Sequence, residues 1–241
     1  MKKFSIKNGI IKALFNLEWT CNICQNENFD GGYFCKKCND CLPYIVKNYC
    51  NHCGRITPYP VTYCDSCIEK NLEYDMARSL FSYEKPIDDL IKQLKYGSKK
   101  YLSEVFIKLM AEKYLSFFSD TEVISFVPSN ESTIKERGFN QSKLLAEQLS
   151  LMVNVPFLEC SFKIKETERQ ATLSVDKRRE NLKGAFKVNR KAVKGKVILI
   201  VDDVLTTGVT ADILAKLYKK AGAVKVYVLT IASVSKIKLN G

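Results

Sequence analysis

The stretch Val197-Ile-Leu-Ile-Val-Asp-Asp-Val-Leu-Thr-Thr-Gly-Val-Thr210 decides the fold. Val197–Val201 is uniformly β-branched or Leu, as a parallel strand buried on both faces requires. A loop over 202–210 follows, then a helix over Val209–Ala221 with Gly222 as its C-cap, then a second apolar strand over Val224–Ile231. This is a β-α-β unit, and its loop leaves the carboxyl end of the first strand, where open α/β sheets bind ligands. Backbone N–H groups, the Thr206, Thr207 and Thr210 hydroxyls, Gly208 and the helix N-terminus make an anion cradle suited to a phosphate monoester. Asp202 and Asp203 can accept hydrogen bonds from adjacent ribose hydroxyls. Helix capping needs only one such residue, not two acids plus three threonines around a glycine.

Working outward, residues 87–95 and 101–118 carry apolar side chains at helical spacing: Leu90, Ile91 and Leu94, then Leu102, Val105, Phe106 and Leu109. Glu122–Val127 reads as a short strand ended by Pro128, and Phe139–Leu151 as a helix with Leu144, Leu145 and Leu149 inward. Residues 76–241 are therefore expected to form an α/β domain.

The N-terminal third differs. Four C-x-x-C pairs, Cys21/Cys24, Cys35/Cys38, Cys50/Cys53 and Cys64/Cys67, form two C-x2-C-x10-C-x2-C sets offset by 29 residues. Two such turns let four thiolates converge on one ion, with Zn–S bonds of about 2.3 Å. Two structural zinc sites are the simplest reading, although iron–sulfur ligation and crossed pairing of the knuckles satisfy the same spacing. A disulfide scaffold is disfavoured without a secretion signal. Cys41 is read as a spare thiol, and His52, the only histidine, as exposed filler. Closed four-thiolate sites do not catalyse, so the metal is expected to fold the module rather than react. The expected organisation is an N-terminal helical extension over 1–20, a cysteine-rich double zinc module over 21–75 and the α/β domain over 76–241.

The 241 residues hold 38 basic and 26 acidic side chains, a formal +12. Residues 76–241 carry 29 basic against 18 acidic, whereas 1–75 carry 9 against 8. Residues 163–196 alone hold 12 against 4, so the excess marks one phosphate-facing region. Zinc sharpens this, since each four-thiolate site brings about −2 and lowers the total to about +8. No apolar run is long enough for a membrane helix, so membrane insertion is not expected. Lys7 and Lys12 interrupt what would be a signal-peptide core, so a cytoplasmic location is expected.

Val197–Thr210 resembles the phosphoribosyl-pyrophosphate motif of type I phosphoribosyltransferases. Three further stretches resemble the ComF family of competence proteins: the cysteine-rich N-terminus, Val127-Pro128 through Arg137-Gly-Phe-Asn-Gln141, and Arg169-Gln170-Ala-Thr-Leu173 through Arg179-Glu-Asn181-Leu-Lys-Gly-Ala-Phe186. The resemblance implies a type I phosphoribosyltransferase-like, mostly parallel sheet flanked by helices, preceded by a small double zinc-ribbon or zinc-finger module. It implies that Asp202 and Asp203 hold ribose hydroxyls and that Thr206, Thr207, Gly208 and Thr210 wrap the 5-phosphate. Val127–Asn130, with Pro128 and Ser129, would form the pyrophosphate loop. Glu131 is an acid set beside that loop, and Arg137, Asn140 and Gln141 would begin the next helix. Lys165–Asn181 resembles a mobile hood whose Arg169 and Arg179 would reach the leaving pyrophosphate as the catalytic cations.

Three functions are compatible with this resemblance. One is an accessory protein of DNA uptake that handles single-stranded DNA with the competence DNA-translocation helicase. Another is an active phosphoribosyltransferase, with Mg²⁺ bridging the phosphates of its phosphoribosyl pyrophosphate donor. The third is a non-catalytic sensor gated by that donor. A homodimer is also compatible with it.

Overall fold

The computed structural model describes residues 20–29, 32–96, 101–167 and 175–235. The chain divides into two compact units, 1–43 and 44–241, so the second cysteine set shares a unit with the sheet. In the first unit a bridge pairs Thr20 with Glu27, and helix α1 (Lys36–Asp40) follows the second knuckle's first cysteine.

The second unit begins with helix α2 (Asp65–Lys70) and strand β1 (Met76–Ser82). Helices α3 (Ile87–Tyr96) and α4 (Leu102–Phe117), strand β2 (Val123–Phe126) and helices α5 (Glu131–Arg137) and α6 (Gln141–Val153) come next. Then come β3 (Ser161–Lys163), α7 (Val175–Leu182), β4 (Phe186–Val188), α8 (Arg190–Val193), β5 (Val197–Leu205), α9 (Val209–Lys220) and β6 (Lys225–Ser233). The main sheet has order β1-β6-β5-β2 with every pairing parallel, and β3 and β4 form a separate antiparallel ribbon.

The expected burial of the central strand holds, because Ile198, Leu199, Ile200 and Val201 are all fully buried. Helices α4 and α6 pack together on the sheet, with Val105, Phe106, Met110, Leu145, Ala146 and Leu149 buried. Ile198, Ile200, Val226 and Val228 belong to a core with Leu214, Ala215 and Tyr218 of α9. Cys50, Cys53 and Cys67 are part of that same core, so the second thiolate cluster is built into the sheet unit.

Two details differ from the sequence expectation. First, β5 runs on to Leu205 because Asp202, Val204 and Leu205 keep pairing with Thr230, Ala232 and Ser233 of β6. The acid pair is thus held on a strand end, not in a loop. Second, β1 is a strand that the apolar pattern does not announce, since Arg78, Ser79 and Ser82 interrupt it. Arg78 and Ser79 are buried and find partners. Ser79 Oγ and Thr230 Oγ1 are 2.7 Å apart, and Arg78 Nη1 donates to Asn51 O at 2.8 Å with its guanidinium over the Tyr49 and Phe117 rings.

Candidate functional site

The carboxyl ends of β2 and β5 open into a cavity of about 310 Å³. Its lining includes Val127, Pro128, Ser129 and Asn130 after β2, Arg137 and Gln141, and Asp202, Asp203, Thr206 and Thr210 after the centre of β5. Lys95, Tyr96, Ser142, Lys163 and Thr167 complete much of the wall. A smaller space of about 20 Å³ adjoins Asp202, Thr206, Gly208 and Thr210.

The acid pair is differentiated by its neighbours. Ser142 Oγ donates to Asp202 Oδ1 at 2.6 Å, and the Asp203 backbone N–H donates to the same oxygen at 2.9 Å. Burial and the adjacent Asp203 charge still push the Asp202 pKa up to about 8. Burial also works against the Asp203 carboxylate, but Lys95, in direct ion-pair contact, outweighs it and holds the pKa below the usual carboxylate range. For Lys95 itself, burial opposes the charge and Asp203 prevails, so its pKa is raised. Near neutral pH the site thus holds one proton on Asp202 and a closed Lys95–Asp203 pair.

The Thr206–Thr210 loop, expected from its composition to hold an anion, turns on a glycine. Gly208 is the N-cap of α9 at φ +83°, a left-handed conformation that favours glycine, and a Cβ there would lie 3.4 Å from Tyr74 Oη. Thr207 lines neither cavity, and its Oγ1 accepts from the Val209 N–H at 3.4 Å. On the opposite wall, Asn140 N-caps α6 through the Ser142 and Lys143 N–H groups, while its Nδ2 donates to Val127 O at 3.1 Å. Asn140 therefore shapes the Val127–Asn130 loop without lining the cavity. Arg137 does not begin that helix. It is the last residue of α5, ended by Gly138 at φ +79°, and its guanidinium lies over the Tyr96 ring, 4.6 Å from the centroid. Arg137 Nη1 also donates to Gln141 Oε1 at 3.1 Å.

The start of the basic stretch meets the same loop. Asn130 Nδ2 donates to Thr167 O at 2.8 Å, and Ser132 Oγ donates to Glu166 Oε2 at 3.0 Å. Glu131 is exposed and does not line the cavity. Arg179 also lies outside the lining, and pairs with Asp212 of α9 at 3.5 Å. Arg169 lies outside the described residues.

Lys95, Tyr96 and Ser142 are site residues that the sequence reading missed. Lys95 and Tyr96 follow Leu94 at the end of an amphipathic helix, where a polar pair reads as solvated surface. Ser142 is an ordinary residue in the first turn of a helix. None carries a local signal of its partner.

The cysteines form two groups, Cys21/Cys24/Cys35/Cys38 and Cys50/Cys53/Cys64/Cys67, which resolves the pairing of knuckles. Sulfur separations are 3.9 Å for Cys24–Cys35, 3.8 Å for Cys50–Cys67, 3.7 Å for Cys53–Cys64 and 3.6 Å for Cys64–Cys67. Four thiolates around zinc at about 2.3 Å lie about 3.8 Å apart, so both groups fit a closed structural zinc site. These separations are far beyond a disulfide bond of about 2.05 Å. Cys41 is exposed and belongs to neither group. His52 is not exposed filler. Its ring stacks on Tyr74 at 5.1 Å and lies 5.2 Å from Tyr63, because the knuckle carrying it packs against the start of β1.

A double zinc ribbon domain model matches residues 10–68. The chain is 30% identical to competence protein F of Haemophilus influenzae over 204 residues, covering 81% of this chain and 89% of that protein. It is 31% identical to the DNA utilization protein YhgH of Escherichia coli over 76% of this chain and 82% of that one. Competence protein ComFC of Streptococcus pneumoniae is 24% identical over 80% and 84%. Among solved structures, a purine phosphoribosyltransferase from Pyrococcus horikoshii overlaps 58% of this chain and 79% of its own, at 19% identity and a TM-score of 0.34.

Proposed function

We infer that this chain, which belongs to the competence protein F family, is an accessory protein of DNA uptake whose cavity binds a phosphoribosyl pyrophosphate donor. The observation that carries the ligand is the joining of the Asp202–Asp203 strand end, the Thr206–Thr210 loop and the Val127–Asn130 loop around one cavity. The paired acids suit a vicinal diol, and the helix N-terminus behind Gly208 suits its phosphate. With Asp202 protonated, the described lining sets Lys95, Arg137 and Lys163 against Glu136 and Asp203. A surplus of one cation falls short of a pyrophosphate's charge, which favours a donor carrying its own Mg²⁺. When bound, Mg²⁺ would offset phosphate charge.

The residues divide the work of binding. Ser142 and the Asp203 N–H orient Asp202 toward a ligand hydroxyl. Lys95 exchanges its partner, leaving Asp203 for a hydroxyl and turning its ammonium to phosphate. Arg137 is already aimed by Tyr96 and Gln141. Delivery of Arg169 and Arg179 to a leaving pyrophosphate would make the same site a phosphoribosyltransferase; for Arg179 this requires release from Asp212.

Single-stranded DNA is the proposed macromolecular partner, supported by the exposed cations Lys177, Lys183, Lys187, Arg190, Lys191 and Lys194. Work beside the competence helicase on the cytoplasmic side follows from this reading. Among the described residues no helix is long and apolar enough to cross a membrane. The function is tested by replacing the gene with an Asp202→Asn/Asp203→Asn version in a naturally transformable host. Transformation frequency is expected to fall at least tenfold when compared at protein levels matched to the wild type. An undiminished frequency would show that uptake does not use the site.

A further inference from the structure

The second zinc knuckle and the anion loop are far apart in sequence but touch in the fold. The Cys50 N–H donates to Arg55 O at 2.9 Å, which closes the knuckle turn around Cys50 and Cys53. The Arg55 side chain leaves that turn, is only 8% exposed, and donates from Nη2 to Thr206 O at 2.8 Å. Arg55 Nη2 also lies 3.5 Å from where a Cβ on Gly208 would be, and Tyr74 Oη 3.4 Å from it. Tyr74 is 1% exposed and stacks on His52 of the same knuckle. One step further, the Glu73 N–H donates to Asp212 Oδ1 of α9 at 2.8 Å. Gly54 shows how closely the knuckle sits. It has φ +69°, and a Cβ there would come 2.6 Å from Ala77 O of β1.

A peptide unit is planar and trans, so its C=O and the following N–H point in opposite directions. Holding Thr206 O against Arg55 therefore fixes the Thr207 N–H on the side away from the knuckle. A buried guanidinium bond to a carbonyl is stronger than a neutral one, and losing it removes that restraint on the carbonyl's direction. An anion cradle made of backbone N–H groups depends on such orientation having been set before the ligand arrives.

We propose that Arg55 is a positioning residue through which the zinc-bound Cys50/Cys53/Cys64/Cys67 knuckle sets the anion loop 205–210, so that zinc occupancy and phosphate binding are thermodynamically coupled. This rests on reading 202–210 as the donor's phosphate site. Coupling is reciprocal, so the ligand must also slow loss of this zinc.

The test uses the zinc-loaded full chain with Arg55→Ala and Arg55→Lys, and Mg²⁺–phosphoribosyl pyrophosphate as the probe. Arg55→Ala is expected to keep two zinc ions per chain while amides 205–210 exchange hydrogen at least tenfold faster and probe affinity falls at least tenfold. Arg55→Lys retains a donor and recovers part of both losses. In the wild type, saturating probe slows zinc transfer to a colorimetric chelator several-fold, and in Arg55→Ala it does not. Unchanged loop exchange and affinity in a zinc-replete Arg55→Ala would overturn the proposal. Should Arg55→Ala fail to fold, zinc transfer from the wild type at a rate indifferent to bound probe overturns it. If the wild type binds no probe but its loop exchange still responds to Arg55→Ala, the knuckle-to-loop link stands and the donor assignment falls.

Discussion

Cys53→Ser is expected to abolish the cooperative thermal transition of residues 44–241, not merely to remove a metal ion. Cys50 and Cys53 are fully buried and Cys67 is 4% exposed, and all three sit in one core with Tyr74, Ala77, Ile198, Ile200, Val226 and Val228. Structural zinc in small modules binds with apparent free energies of about 10–16 kcal/mol near neutral pH. A domain's whole stability is about 5–15 kcal/mol, so the loss of a ligand here is comparable to the total. It also leaves three crowded thiols, two of them buried, without the cation that their geometry serves. Cys24→Ser is the contrasting case, because Cys24 is exposed and belongs to unit 1–43. It is expected to cost one zinc equivalent while the main transition survives. Zinc content by atomic absorption and melting followed by circular dichroism check both. A Cys53→Ser protein that melts within a few degrees of the wild type would mean the metal does not hold this core.

The second large effect is expected from Lys95→Ala. Lys95 and Asp203 form an ion pair whose side chains are 21% and 7% exposed. Removing the lysine leaves a buried carboxylate with its main counter-charge gone, and such one-sided losses cost about 3–5 kcal/mol. Solvent access to Lys95 places the expected cost near the lower end, about 3 kcal/mol. Asp203→Asn strands the ammonium instead and is expected to cost a similar amount. The double variant should lose much less than the two single costs together, because neither charge is then left alone. Urea denaturation of all four proteins measures this. Strictly additive losses would show that the pair is not a coupled unit. The same experiment bears on function, since a pair this closed must open before Asp203 can accept a ligand hydroxyl.

Much of the fold was legible because its signals are local. Val197–Val201 has the unbroken apolar run of a buried strand, the Thr206–Gly208 turn has the composition that opens a helix, and eight cysteines in two equal sets have the spacing of two four-thiolate sites. The parallel sheet and the existence of two metal groups follow from those patterns, whereas the pairing of knuckles is settled by the fold. What stayed hidden depends on contacts distant in sequence. β1 looks polar until Thr230 and Asn51 are brought beside Ser79 and Arg78. The strand character of Asp202 and Asp203 comes from pairing with Thr230 and its successors, which no window of a few residues contains. Lys95 and Ser142 become site residues only when α3 and α6 converge on β5. His52 likewise gains its meaning from Tyr74, which lies beyond the knuckle itself. The cation excess behaved differently from the cysteines. Among the described residues, Lys163, Thr167 and Phe186 of the basic stretch line the cavity, whereas its exposed cations from Lys177 to Lys194 do not.

The raised pKa of Asp202 gives the proposed donor site a pH signature. An acid whose folded pKa is raised keeps its proton in the native state while the unfolded chain has already lost it. Stability therefore falls as pH rises from the usual carboxylate range toward about 8, and levels off above it. A ligand that needs the ionised carboxylate gains affinity over the upper part of that window. The most direct measurement is isothermal titration of Mg²⁺–phosphoribosyl pyrophosphate into the zinc-loaded protein at pH 7 and pH 9, beside Asp202→Asn/Asp203→Asn. One molecule per chain is expected to bind, more tightly at pH 9, and the double variant is expected to lose at least a hundredfold in affinity. No binding by the wild type, or equal binding by the double variant, would contradict the account.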